Sequence, residues 1–212
     1  MSRENTVRST HKLEEKMKTR TITGTLFLMA LMLNVGVASV YAQQQPVKMT
    51  FSGNGAPSTI NLQYPGTTTA EENVAGNGTL GWFTFRNVTA TMAAPSPQPP
   101  ITCSGPTKFY FPRMAGAGIF RFEDGSLLTV ELTQGSDCID LVAQEGHCTL
   151  TLNITGGTGR FNNTSGTLTY IETAKPVLAD AFHNPVYFTE TGKITGTLFR
   201  VAMQGDEGDE RR

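Results

Sequence analysis

The sequence is poor in the side chains that most often bind metals or nucleic acids. After residue 42 it contains only His147 and His183, and its three cysteines show no CxxC spacing. Setting aside the six basic and three acidic residues of positions 1–42 leaves 11 Lys and Arg against 15 Asp and Glu, a net charge of −4. Nucleic-acid-binding domains usually carry a basic patch, and this chain has no basic cluster. These absences predict no metal site, no cofactor and no nucleic-acid partner.

Helical periodicity is also missing after residue 43. In its place are short runs rich in Thr, Val, Phe, Leu and Tyr, interrupted by Gly, Pro, Asn and Asp, which is typical of an all-β sandwich or barrel. Candidate strands are 47–51, 59–64, 80–91, 108–111, 116–123, 126–132, 148–154, 166–173, 186–190 and 193–201. Turns are predicted at "EDGS" (123–126) and "ETGK" (190–193), and long loops at 65–78 and 94–106.

Residues 1–42 have the layout of a secretory signal peptide: a basic start, an apolar middle and small residues at the cleavage point. Met17 begins the basic "MKTR", so it is a candidate for the true start of the chain. The alternative is an uncleaved membrane anchor, because the apolar run approaches the ~20 residues that span a bilayer. Cleavage would leave a secreted or periplasmic protein without membrane contact, with one β-barrel domain at 43–204 and a disordered polar tail at 205–212.

An exported protein with three cysteines is expected to form one disulfide and keep one thiol. Cys138 and Cys148 flank a short connection and could face each other across two strands, which makes them the preferred pair. Cys103 could instead fasten the proline-rich loop to either of them. Asp137, Asp140 and His147 near Cys138 supply residue types for acid–base chemistry, but the pattern carries no base-and-orienter geometry.

The stretch "ITGGTGRFNNTSGTLTY" (154–170) contains the glycines that could suggest a phosphate loop. Such a loop needs a strand, a glycine turn and then a helix, whereas β-forming residues follow here. We therefore predict a structural glycine turn, in which glycines permit a bend or a close backbone approach and an aromatic ring plugs one end of a barrel. Its residues are Gly156, Gly157, Gly159, Phe161 and Gly166.

"GGTGRFNNTSG" resembles the G-G-T-G-x-F-x-x-A-x-G signature of dirigent proteins and allene oxide cyclase-like barrels. Thr164 stands where that signature has Ala. The resemblance spans about 148–173, and similar stretches occur in exported bacterial proteins of unknown function. It implies an antiparallel barrel of about eight strands with a lumen, often assembled as a dimer or trimer. In dirigent proteins, acidic residues and an arginine line that lumen, but the resemblance transfers no such residue to this chain.

Ligand-binding candidates are polar or aromatic side chains on otherwise apolar stripes. They are Trp82, Arg86, Tyr170, Glu172 and Arg200. If the stripes face inward, these groups could orient a ligand; if they do not, their charges are simply solvated.

The sequence thus predicts no catalytic residue, and the first hypothesis is an exported barrel that binds a small apolar or aromatic ligand without catalysis. An interior filled by Phe120, Leu128 and Leu152 would contradict it. The second hypothesis is a cyclase or isomerase acting in the lumen, which requires a buried charge such as Glu172 or Arg86. The third is a structural secreted domain with a filled barrel.

Overall fold

The computed structural model describes residues 44–98, 103, 109–181 and 184–202. The predicted leader and the polar tail lie outside these residues, as does His183. In the described part, eight strands and one short 3₁₀ helix follow each other along the chain. They are β1 (Gln44–Ser58), β2 (Thr67–Gly78), β3 (Phe83–Met92), β4 (Phe109–Phe122), β5 (Leu127–Asp140), β6 (Glu145–Gly157), the 3₁₀ helix (Gly159–Phe161), β7 (Ser165–Ala179) and β8 (Pro185–Phe199).

Each strand pairs antiparallel with the next, and β8 pairs with β1, so the sheet closes on itself. Closure satisfies the backbone donors and acceptors that an open sheet would leave on its edges. The predicted eight-stranded antiparallel barrel is therefore confirmed. No helix within the described ranges is long and apolar enough to cross a membrane.

Three assignments from the sequence, a loop, a strand and a turn, are wrong. The predicted loop at 65–78 contains β2, whereas the predicted strand at 59–64 is not a strand. β8 runs straight through the predicted turn at 190–193. Gly192 allows close packing there: a Cβ atom would lie 2.1 Å from the carbonyl oxygen of Ile171. In β2 and in β8, hydrogen bonding to a neighbouring strand on each side stabilises the strand despite the low strand propensity of Gly, Asn and Glu.

One half of the barrel interior is filled by aromatic and aliphatic side chains. The rings of Phe85 and Phe120 stack with centroids 4.0 Å apart, and those of Phe122 and Phe161 lie 4.6 Å apart. Phe120 and Leu128 are completely buried, and Leu152 is nearly so. We call this half the aromatic end. In this half, the interior is filled by Phe120, Leu128 and Leu152, which is what the third hypothesis requires and what contradicts an apolar ligand there under the first hypothesis.

The glycine stretch closes the aromatic end. The chain leaves β6, forms the 3₁₀ helix that inserts Phe161 into the core, and returns in β7, so no longer helix follows the glycines. Arg160 lies over the rings of Phe122 and Phe161 and donates a hydrogen bond to the carbonyl of Leu80. Gly159 has φ +59°, and a Cβ atom there would lie 2.4 Å from Ser126 Oγ. The local structure is a bend between strands.

The other half of the interior is polar. It lies toward the connections β1–β2, β3–β4, β5–β6 and β7–β8, and we call it the polar end. The segment between β3 and β4 is the predicted proline-rich loop, and its Cys103 forms a disulfide with Cys138 of β5. The disulfide therefore fastens this connection to the barrel wall.

The preferred pairing of Cys138 with Cys148 is wrong because the two side chains lie on opposite faces of the sheet. A register shift between Leu132 and Gln134 reverses which residues of β5 point inward. Cys138 is consequently opposite the outward-facing His147, while Cys148 is opposite Asp137 and points into the barrel. Cys148 is the free thiol and is buried.

We expect one thiol per unreduced chain, and we expect it to be unreactive in the folded protein. Burial raises the pKa of the Cys148 thiol, and the nearby carboxylates of Asp137 and Glu172 raise it further. Since the thiolate is the reactive form, iodoacetamide should modify Cys148 only after unfolding in denaturant. Peptide mapping without reduction checks both points, with Cys148→Ala as the control that keeps the disulfide. Rapid labelling of the native protein, or labelling at Cys103, would contradict the arrangement.

Candidate functional site

A group of charged side chains meets inside the polar end of the barrel. It brings together one arginine from β4 and four carboxylates from four other strands, and we call it the charged cluster. Its members are Arg113 (β4), Glu72 (β2), Asp137 (β5), Glu172 (β7) and Glu190 (β8). Strand alternation explains the placement, because Glu72 and Glu172 follow the same inward stripes as Val74 and Tyr170.

Arg113 uses all three guanidinium nitrogens within the cluster. Nη1 lies 2.8 Å from Glu72 Oε1, Nη2 lies 3.0 Å from Glu172 Oε1, and Nε contacts Asp137 Oδ1. Nη1 also donates to Thr89 Oγ1 at 3.2 Å. The planar donor fork of arginine suits several carboxylates at once, so one side chain bridges β4 to β2, β5 and β7.

Negative charge in this cluster exceeds positive charge. Four carboxylates surround one guanidinium, and Glu72, Glu172 and Glu190 are only 0%, 2% and 1% exposed. Buried carboxylates need an opposite charge, a hydrogen-bond donor or a proton. Arg113 supplies one positive charge, and the described residues add no second cation within the cluster.

Several buried oxygen atoms of this region have no hydrogen-bond donor among the described residues. They are Glu172 Oε2, Glu190 Oε1 and Asn87 Oδ1. The second polar atom of Asn87 and that of Glu190 do have partners. Asn87 Nδ2 donates to Glu72 Oε2 at 2.8 Å, and the Tyr170 hydroxyl donates to Glu190 Oε2 at 3.3 Å. A proton on Glu190 would let the carboxyl groups of Glu172 and Glu190 bond each other.

The pKa values reflect this shortage of positive charge. Burial, the hydrogen bond to Glu172 and the charge on Glu172 raise the pKa of Glu190 far above its usual range. Burial would also raise the pKa of Glu172, but hydrogen bonding to Glu190 and the charge of Arg113 hold it below its ordinary value. Burial raises the pKa of Glu72 to about 7, against the opposing effect of Arg113. Glu190 therefore carries the proton of its pair with Glu172.

Two of the five predicted ligand-binding residues lie in this interior. Tyr170 is buried between the two ends, stacked on Phe51 with centroids 4.4 Å apart, and Glu172 belongs to the charged cluster. The other three lie elsewhere and are described next.

Trp82, Arg86 and Arg200 do not approach the cluster. Phe83 and Phe85 occupy the inward positions of β3, so the neighbouring Arg86 points outward, where its 67% exposed side chain pairs with Glu71. Trp82 is 48% exposed beside a surface pocket of about 200 Å³ at the aromatic end. Arg200 follows β8 and is also exposed.

Sequence reasoning missed most of the charged cluster. Glu72 lies in the segment predicted to be a loop, and Glu190 in the segment predicted to be a turn. Arg113 lies between the predicted strands 108–111 and 116–123 and outside both. Asp137 points inward only because of the register shift in β5. The position of these residues depends on how neighbouring strands pair around the closed barrel, and the sequence alone does not give that pairing.

No family model and no curated protein matches this chain. Among solved structures, the pterocarpan synthase dirigent protein PsPTS1 is similar with a TM-score of 0.36 and 14% identity, covering 76% of this chain and 97% of that one. The pterocarpan synthase dirigent protein GePTS1 is similar with a TM-score of 0.37 and 11% identity, covering 78% and 90%. These similarities carry no argument about activity, and the barrel assignment rests on the strand register given above.

Replacing Arg113 by Met should destabilise the protein strongly, whereas Arg86→Met should change little. The first change leaves buried carboxylates without their cation, which typically costs about 3–5 kcal/mol. The second removes an exposed ion pair of small worth. Urea unfolding of both variants compares them directly. Equal stability of the two variants would contradict the proposed role of Arg113.

The unfolding free energy of metal-free protein should fall as pH rises from about 5 to about 8. Glu72 has a folded-state pKa above its ordinary value, so in this window the folded state binds more protons than the unfolded state. Each such group lowers stability by up to about 1.4 kcal/mol per pH unit. Glu72→Gln should flatten the decline, because the Glu72 contribution is removed while that of Glu190 remains.

Glu71→Gln is the matched control, since Glu71 precedes Glu72 but pairs with Arg86 on the outer surface. This variant should keep the wild-type decline. Urea titrations at several pH values in the presence of a chelator give the comparison. A stability that stays constant or increases over the window would show that Glu72 is not protonated as described.

Proposed function

We propose that this protein binds a small ligand at the polar end of its barrel, against the charged cluster, and performs no chemistry on it. The observation that carries the proposal is the buried excess of carboxylate oxygens around a single arginine. Leaving such groups unsatisfied is costly, and natural exceptions concentrate at functional sites. An acidic lumen with an arginine also has the residue types that the dirigent resemblance implies.

The ligand should carry hydrogen-bond donors or positive charge. Asn87 Oδ1 has no donor among the described residues, and Glu172 Oε2 and Glu190 Oε1 have only the proton that their pair shares. A ligand that brings donors or positive charge could replace that proton. Tyr170 contacts the cluster through its hydroxyl on Glu190, and its ring stacks on Phe51 in the buried interior. Such a ligand differs from the expected apolar ligand, because the apolar half of the interior is occupied by its own side chains.

A second candidate function is proton-transfer catalysis of the cyclase or isomerase type. What favours it is the contact between Glu190, whose pKa is raised by burial and by Glu172, and Glu172, whose pKa is held down by Glu190 and Arg113. Two carboxyl groups whose pKa values are pushed apart can serve as acid and base. A buried charge was the requirement of this hypothesis, and Glu172 meets it whereas Arg86 does not.

Export of the protein and its assembly as a dimer or trimer remain predictions. The Cys103–Cys138 disulfide is compatible with an oxidising compartment. Native mass spectrometry of protein purified from the exported fraction of its own host would give the start of the chain and the number of subunits together.

The same spectra test the proposed function. Wild-type protein, incubated with the small-molecule extract of its host, should retain an organic molecule that Glu71→Gln also retains. Glu172→Gln should lose it, because the amide would replace one acceptor oxygen by a donor. A wild-type protein that retains no organic molecule from the extract would overturn the proposal.

Measuring whether the retained molecule is converted distinguishes binding alone from proton-transfer catalysis. The retained molecule should be recovered unchanged after prolonged incubation if the barrel only binds. Conversion that stops in Glu190→Gln but continues in Glu71→Gln would instead establish the proton-transfer reading. Liquid chromatography of the incubation mixture makes this distinction.

A further inference from the structure

The oxygen atoms of three carboxylates converge in the polar end without a shared cation. Glu72, Glu172 and Glu190 each offer one oxygen, and these three oxygens lie within 4.8 Å of one another. Ca²⁺ and Mg²⁺ hold oxygens at about 2.0–2.6 Å, so ligands across the ion are about 4–5 Å apart. The spacing therefore fits a single ion with little movement of the three strands.

An independent feature points to an occupant at this place. Asn87 is 4% exposed, and its Oδ1 atom has no hydrogen-bond donor among the described residues. Its amide lies against the cluster, because Nδ2 donates to Glu72 Oε2 at 2.8 Å. Amide oxygens bind the same hard cations as carboxylates, so the donor-free oxygen of Asn87 is of the ligating type and belongs to a side chain bonded to Glu72.

Arg113 prepares the carboxylates without blocking them. It binds Oε1 of Glu72 and Oε1 of Glu172. Glu172 Oε2 is left without a donor, and Glu72 Oε2 accepts one hydrogen bond, from the Asn87 amide. With Asp137 included, four carboxylates and one guanidinium sum to −3 when all are ionised, and a divalent ion would reduce this to −1. Groups that fix the orientation of ligating carboxylates are a regular part of metal sites.

We propose that Glu72, Glu172 and Glu190 bind one hard divalent cation, of the Ca²⁺, Mn²⁺ or Mg²⁺ class, in the polar end of the barrel. The inference rests on the proposed function, since it names one occupant of the same cluster. The ligand set contains only oxygen, which favours these ions over zinc or copper. The sequence-based expectation of no metal site considered histidine and cysteine spacing, which this set does not use.

Thermal unfolding of chelator-treated protein tests the site with the metals alone. Millimolar CaCl₂ or MnCl₂ should raise the melting temperature of the wild type by several degrees, because an ion that binds only the folded state stabilises it. Glu190→Gln should lose this increase while remaining folded, since its amide can donate to Glu172 in place of the shared proton. Glu71→Gln should keep the increase.

Terbium luminescence locates the ion. Tb³⁺ substitutes for Ca²⁺ at oxygen sites and emits when an excited tyrosine lies nearby, and the Tyr170 hydroxyl is 3.3 Å from Glu190 Oε2. Emission excited through tyrosine should appear on Tb³⁺ binding and decrease when Ca²⁺ competes. Tyr170→Phe should lose most of this emission but keep the thermal shift with CaCl₂.

Three results would overturn the inference. They are an unchanged wild-type melting temperature with CaCl₂, MnCl₂ and MgCl₂ alike, an undiminished shift in Glu190→Gln, and a clear preference for Zn²⁺ or Cd²⁺ over Ca²⁺. The proposed function is judged separately. If chelated protein retains an organic molecule but shows no metal-dependent shift, the proposed function is supported and the cation site is not. If the metals raise the melting temperature but no organic molecule is retained, the cation site is supported and the organic ligand is not.

Discussion

The buried guanidinium of Arg113 is the interaction on which the polar end of this barrel depends. From β4 it reaches carboxylates on β2, β5 and β7, so it links strands that do not all neighbour one another. Removing one arginine and several carboxylates from water is costly, and the cost is recovered only when each ion finds partners. Arg113 satisfies some carboxylate oxygens and leaves others without donors. The polar end must therefore take up a proton, a cation or a donor-bearing ligand.

The two ends of the interior differ in composition: one is packed with apolar side chains, and the other holds the charged cluster. Aromatic packing around Phe85, Phe120 and Phe161 fills the aromatic end, and the glycine stretch between β6 and β7 seals it. Closure of the sheet holds the strands in fixed register, so the charged side chains are placed by rigid elements rather than by loops. Such placement keeps carboxylates together that would repel one another in a flexible segment. Tyr170 lies at the boundary, with its ring in the aromatic packing and its hydroxyl on Glu190.

Alternation along strongly apolar strands was enough to predict the class of fold and part of the interior. The stripe of Leu168, Tyr170 and Glu172 points inward as its pattern indicates, whereas Arg86 points outward because Phe83 and Phe85 are the larger apolar groups. The pattern fails where a strand is stabilised by its neighbours rather than by its own residues, as in β2 and around Gly192. It fails again at the register shift in β5, which exchanges the faces of Asp137 and Cys138. Most of the charged cluster lies in those segments.

The protonation state of Glu190 is the most direct test of this account, because it reports whether the cluster lacks positive charge. Infrared difference spectroscopy of chelated, ligand-free protein at neutral pH, wild type against Glu190→Gln, isolates the carbonyl stretch of a protonated carboxyl group. The account predicts such a band in the wild type, its absence in the variant, and its loss from the wild type when a cation binds. A wild-type spectrum in which every carboxyl group of the cluster is ionised would contradict the account.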